Sequence, residues 1–263
     1  MLTLKRLLII FCAPALLLIS HLGFAAGPVT FLHDMPKIDP TDQASLQRGA
    51  KYYMNYCSGC HSLQFMRYER MAKDIGLTDD KGEVMADVVK ANLMFSSKRI
   101  GDQILVAMPS EEARHWFGVA PPDLTLASPH RSNKWLYNYL LSFYVDDKKT
   151  WGVNNVVFPD VAMPNVLLAL QGEQEPIYET RQLTVEGQTV EHKTVTGLKL
   201  IKPGELSPKE FQALVYDLVN FMAYVGDPIK VQRERMGVAV ILFLLALLVF
   251  AYLLKREYWK DIK

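Results

Sequence analysis

The chain has 263 residues, 50% of them hydrophobic and 22% charged, with a formal net charge of +1. That is enough apolar material for a buried core, and it excludes an intrinsically disordered chain. Split by segment, the total separates into basic ends and a region over 27–229 with 20 basic and 25 acidic residues, a net of −5. A nucleic-acid-binding domain carries the opposite sign, so no nucleic-acid partner is expected; a mildly acidic domain suits a basic protein partner.

The N-terminus reads Met1-Leu2-Thr3-Leu4-Lys5-Arg6, runs apolar over 7–19, and reaches small residues at Gly23, Ala25, Ala26 and Gly27. A positive start, a short apolar run and small residues at a cleavage point predict a secretory signal peptide over 1–26. An uncleaved anchor is the other reading, but Pro14 and His21 interrupt the run.

Residues 41–56 predict a helix with Leu46, Gly49, Ala50 and Tyr53 on one face, where Gly49 would let another helix approach closely. It leads directly into Cys57-Ser58-Gly59-Cys60-His61. The chain has three cysteines, and Cys12 leaves with the signal peptide, so neither Cys57 nor Cys60 has a partner outside this motif. Two cysteines three apart with histidine next is the c-type haem attachment pattern, and chance would produce it in about one such chain in a thousand. Each thiol adds to a haem vinyl group as a thioether, and His61 then reaches the iron as proximal ligand. A redox-active disulfide would want a thioredoxin-like βαβ context, and a zinc site a fourth ligand and usually a second cysteine pair.

Helical periodicity is also read over 87–107, 111–117 and 132–143. An electron carrier wants a sixth iron ligand, and Ala107-Met108-Pro109 and Ala162-Met163-Pro164 offer two similar methionines. In each, the proline stiffens an extended loop. Spacing alone does not choose between them. Met108 ends a helix-like stretch over 102–107, whereas Met163 lies in an irregular loop over 154–165, which favours Met163. Further on, alternation over 181–201 around Glu186-Gly187 predicts a β-hairpin. Ser207-Pro208-Lys209-Glu210 carries an N-cap, an N1 proline and a capping-box glutamate for a helix ending at Gly226-Asp227-Pro228. Glu173, Glu175 and Glu179 read either as docking charges or as a solvated loop.

Residues 236–254 contain no charge and no proline. As a helix they span about 28 Å, the thickness of a bilayer core. Tyr252, Tyr258 and Trp259 suit one membrane interface. Basic residues flank both sides, so orientation comes from the export signal, which puts the large domain outside the cytoplasm.

The segments Arg48-Gly49-Ala50, Tyr56-Cys57-Ser58-Gly59-Cys60-His61-Ser62, Ala120-Pro121-Pro122-Asp123-Leu124, Asn154-Asn155, Phe158-Pro159, Met163-Pro164 and Arg233-Glu234-Arg235-Met236-Gly237 resemble the cytochrome c1 family, most closely its proteobacterial members. The resemblance runs from about residue 28 to the C-terminus. It implies a mainly α, cytochrome c-like haem domain with a small β-hairpin excursion and one C-terminal transmembrane helix. The division is 1–26 signal peptide, 27–229 exported haem domain, 230–254 linker and anchor, and 255–263 cytoplasmic tail. It further implies one covalently bound haem c held by Cys57, Cys60, His61 and Met163, with Pro121 and Pro122 lining the pocket and Arg131 near a propionate. The expected role is electron transfer within the quinol–cytochrome c reductase (cytochrome bc1) complex. Beside cytochrome b, the Rieske iron–sulfur protein would donate and a c-type cytochrome accept, at the periplasmic face of the bacterial inner membrane. The chain alone is then an electron carrier, with a membrane-lipid contact through its last helix. Rival readings are a free-standing membrane-anchored c-type cytochrome, the haem subunit of another respiratory oxidoreductase, and a gas-binding haem sensor with a vacant sixth position.

Overall fold

The computed structural model describes residues 31–185 and 188–261. The signal peptide read over 1–26 and the turn at Glu186-Gly187 lie outside them. In chain order the elements are α1 (Gln43–Tyr56), β1 (Leu63–Arg67), α2 (Tyr68–Asp74), α3 (Ala86–Leu93), β2 (Gln103–Ile104), α4 (Ser110–Phe117), α5 (Ala127–Arg131), α6 (Asn133–Leu141), β3 (Phe143–Val145) and β4 (Val153–Asn155). They are followed by α7 (Leu168–Gln171), β5 (Gly172–Val185), β6 (Gln188–Pro203), α8 (Pro208–Gly226) and α9 (Lys230–Tyr258).

The scaffold is the crossing of α1 and α8. Asp42 caps α1 by accepting the Ser45 amide at 3.0 Å. On α8, Ser207 and Glu210 form the expected reciprocal capping box, with Pro208 at the first helical position. The buried faces join Leu46, Ala50, Tyr53 and Met54 to Phe211, Leu214, Val215, Leu218, Phe221 and Met222 in one core. Gly49 sits at the closest approach, where a Cβ would collide with the Asp217 carbonyl oxygen and stand 2.6 Å from Phe221 Cβ.

A polar network is folded into the same crossing. Asp217 accepts from Ser45 Oγ at 2.6 Å, from Arg48 Nε at 2.6 Å and from Arg48 Nη2 at 3.0 Å. Asn220 Nδ2 donates to Ser45 Oγ at 3.0 Å and to the Asp39 carbonyl at 2.8 Å. A buried carboxylate is costly unless its oxygens are occupied, so this network makes one rotation of the two helices better than its neighbours.

The helix expected over 87–107 stops at Leu93. Met94 turns extended (φ −110°, ψ 96°), and Ser96 Oγ donates to the Leu105 carbonyl at 2.7 Å. Residues nine apart on a helix would lie about 13.5 Å apart, so this bond requires the chain to fold back instead. Gln103 and Ile104 then pair with β1 as a short antiparallel strand, so Met108 follows a strand rather than a helix. The hairpin is longer than its alternation suggested. β5 and β6 pair from Gly172↔Pro203 to Val185↔Gln188. Within it Glu173 pairs with Lys202 at 2.9 Å and Glu175 with Lys199 at 3.3 Å, so these two glutamates are cross-strand partners.

α9 has 29 residues, a mean hydropathy of 2.9 over its most apolar window and none of that window buried. An apolar helix with no packed face belongs in lipid. The helix begins at Lys230, so the basic stretch before residue 236 is helical as well.

Candidate haem site

The attachment motif leaves the end of α1 without a break. Cys57 and Ser58 amides both donate to the Tyr53 carbonyl, and Cys60 and His61 amides to the Cys57 carbonyl, at 2.9–3.0 Å. These tight turns put Cys57, Cys60 and His61 on the wall of one apolar pocket. Ala162, Met163 and Pro164 line the same pocket, and Tyr56, Phe117, Val119, Pro121, Pro122 and Val166 complete it.

The imidazole is oriented from behind. His61 Nδ1 lies 2.7 Å from the Pro122 carbonyl oxygen, which fixes the tautomer with Nδ1–H donating and leaves Nε2 as the free lone pair. A metal-binding histidine is held by this kind of partner. Burial also holds the His61 pKa below its ordinary value, so the ring stays neutral. The loop that supplies Pro122 is itself stapled to the motif: Leu124 N donates to Ser62 O at 2.9 Å, and Asp123 accepts the Gln64 amide at 2.8 Å. Behind His61, the fully buried Tyr53 donates to the His61 carbonyl at 2.8 Å. Tyr53→Phe leaves that carbonyl unpaired and should cost about 1–3 kcal/mol in thermal or denaturant unfolding, with the ligation spectrum unchanged.

Both thiols are free, and burial pushes the Cys57 thiol up to about 12. A reactive free thiolate needs the opposite shift. Among the described residues, no group of three or more His, Cys, Asp or Glu could hold a metal ion.

The Met163 loop is built on two buried asparagines. Asn154 Oδ1 accepts the Asn155 and Asp160 amides, both at 2.8 Å, and Asn155 Oδ1 accepts those of Val157 at 2.9 Å and Phe158 at 3.1 Å. Asn155 Nδ2 donates to the Tyr139 carbonyl at 2.7 Å, which ties the loop to α6. Met108 does not line the pocket, and neither does Arg131. The Arg131 guanidinium lies over Trp135 at 5.1 Å and over Phe158 at 5.9 Å. Tyr56 and Phe117, the last residues of α1 and α4, and the loop residues Val119 and Val166 went unforeseen as pocket residues, because an aromatic at a helix end or a valine in a loop carries no spacing signal.

Two thiols and a histidine in one tight turn, a methionine lining the same apolar pocket and a lipid-length helix define a membrane-anchored c-type cytochrome. The Cytochrome C1 family model matches residues 35–262. The chain is 51% identical over 225 residues to the cytochrome c1 of Allochromatium vinosum, covering 86% of this chain and 87% of that one. It is 40% identical over 248 residues to a Nitrosomonas europaea protein named ammonia monooxygenase gamma subunit, covering 94% and 96%. It is also 26% identical over 242 residues to the cytochrome b/c1 of Bradyrhizobium diazoefficiens, covering 84% of this chain and 34% of that one. The chain belongs to the cytochrome c1 family. It is the haem-bearing electron-transfer subunit of the bc1 complex, and its cofactor is one covalent c-type haem.

Proposed function

We propose that Cys57 and Cys60 would carry the haem, that His61 and Met163 would ligate its iron, and that Pro121 and Pro122 would pack against it. The observation that carries this is the His61 Nδ1 contact with Pro122 O at 2.7 Å, in a pocket that also holds both thiols and Met163. When bound there, the haem supplies a one-electron couple. The chain does the rest: it keeps Nε2 of a neutral imidazole available, offers a thioether that favours the reduced state, and excludes water with an apolar wall. Two fixed ligands leave little to rearrange on electron transfer and no open position for a gas.

The electron donor in this reading is the Rieske iron–sulfur protein and the acceptor a c-type cytochrome, with cytochrome b beside the anchor. The Bradyrhizobium relative named cytochrome b/c1 supports that neighbour, since this chain covers only 34% of it. The net −5 over 27–229 supports a basic acceptor, attracted in a salt-dependent way. The signal-peptide pattern supports a periplasmic haem domain with the last residues in the cytoplasm. The test is to solubilise membranes gently, recover a tagged full chain and record the reduced-minus-oxidised spectrum. The reading expects b-type haem beside c-type haem and reduction of cytochrome c by quinol. Recovery of c-type haem alone, with other membrane complexes intact, favours the free-standing anchored cytochrome.

A further inference from the structure

We propose that Tyr139 tunes the Met163 thioether by donating a hydrogen bond from its phenol to Sδ, raising the reduction potential of the site. The inference rests on the reading of Met163 as sixth ligand. The Tyr139 Oη to Met163 Sδ distance is 3.3 Å. A thioether sulfur has two lone pairs, so coordination through one leaves the other to accept a proton donor. A hydrogen bond there withdraws electron density and makes the sulfur a weaker donor. Ferric iron, the more electron-demanding state, loses more by this than ferrous iron, so the reduced state gains.

The phenol is held in place from several sides. Tyr139 stacks on Trp135 at 5.0 Å with planes 9° apart, and meets Phe143 edge-on at 5.2 Å. Arg131 covers the outer face of this ladder at Trp135, so residues 131, 135, 139 and 143, each four apart, make one continuous column. The Tyr139 carbonyl accepts from Asn155, the residue whose side chain organises the Met163 loop. Donor and acceptor are thus fixed to each other through the backbone as well as through the O–H···S contact. Met163 and Tyr139 also pack against the same small cluster of Phe143, Val153 and Val161. Among the described residues the Tyr139 hydroxyl has no other hydrogen-bond partner. Tyr139 is therefore a positioning residue that reaches the iron through Met163.

The test is an equilibrium redox titration of the full, haem-loaded chain in its membrane complex. Tyr139→Phe keeps the ring column and removes only the donor. At a fixed ambient potential its ferrous-to-ferric ratio should fall about three- to tenfold, tenfold being 59 mV for one electron, with the ferric sulfur-to-iron charge-transfer band retained. Tyr139→3-fluorotyrosine, a stronger donor on the same ring, should move the ratio the other way, and it remains informative if the phenylalanine variant does not accumulate. Both variants at the wild-type potential with the band intact overturn the inference. So does a Tyr139→Phe protein that loses the band and binds carbon monoxide, since Tyr139 would then only hold the loop. A wild-type protein that lacks the band and binds carbon monoxide defeats the Met163 reading itself, and this inference with it.

Discussion

Met163→Leu should leave the haem covalently attached, open its sixth position to carbon monoxide, and lower the midpoint potential by on the order of a few tenths of a volt. The size follows from the roughly 0.8 V range that axial ligands control, and the sign from the preference of a thioether for ferrous iron. Leucine nearly conserves the volume of methionine, and such swaps cost less than ~1.5 kcal/mol. The loop hung on Asn154 and Asn155 should therefore keep its shape. Met108→Leu is the matched control. Met108 shares the Ala-Met-Pro text but does not line the pocket, so spectrum, potential and gas binding should stay at wild type. Potentiometry and a carbon monoxide difference spectrum of the two variants check this.

Gly49→Ala should destabilise the haem domain by at least ~3 kcal/mol, seen as a lower unfolding midpoint followed through the haem absorbance. Extra atoms in a packed core cost typically ~1–3 kcal/mol. Here the added methyl would collide with the Asp217 carbonyl oxygen and lie 2.9 Å from the Asp217 carbonyl carbon, so two of its nearest obstacles are backbone. Neither can swing aside as a side-chain tip would. The better helix propensity of alanine returns only about 1 kcal/mol. Parting the helices also stretches the Ser45–Asp217 and Ser45–Asn220 bonds, and α1 carries the attachment motif at its C-terminal end. Gly59→Ala is the contrast: a Cβ there meets nothing within 4 Å, so the melt should barely move.

How far these features were legible in the chain depends on the range of the interaction. Local chemistry was readable: the Ser207–Glu210 capping box, the lipid-length helix and the CxxCH motif each sit within a few residues and needed no tertiary partner. Gly49 was readable in kind, as a small residue on an apolar face where another helix could come close; that this helix is α8 is seen in the fold. The span over 87–107 failed because periodicity does not see that Ser96 and the pairing of Gln103 and Ile104 with β1 compete with a helix. Spacing did not choose between Met163 and Met108, and only the irregular loop around Met163 favoured it; in the fold Met163 lines the pocket that holds His61 and Met108 does not. Tyr53 and Tyr139 had no signal at all. A tyrosine on a helical face reads as core, and only the fold reveals that one phenol meets the His61 carbonyl and the other the Met163 sulfur. Pro122 was foreseen as a wall of the pocket, whereas its carbonyl oxygen does the more specific work of orienting His61.

The ligand set proposed for His61 and Met163 is tested most directly by X-ray absorption at the iron of the oxidised and reduced full chain. The account predicts one sulfur and five nitrogen ligands in both states, with little change between them. A shell of nitrogens alone, or a five-coordinate iron in either state, contradicts it.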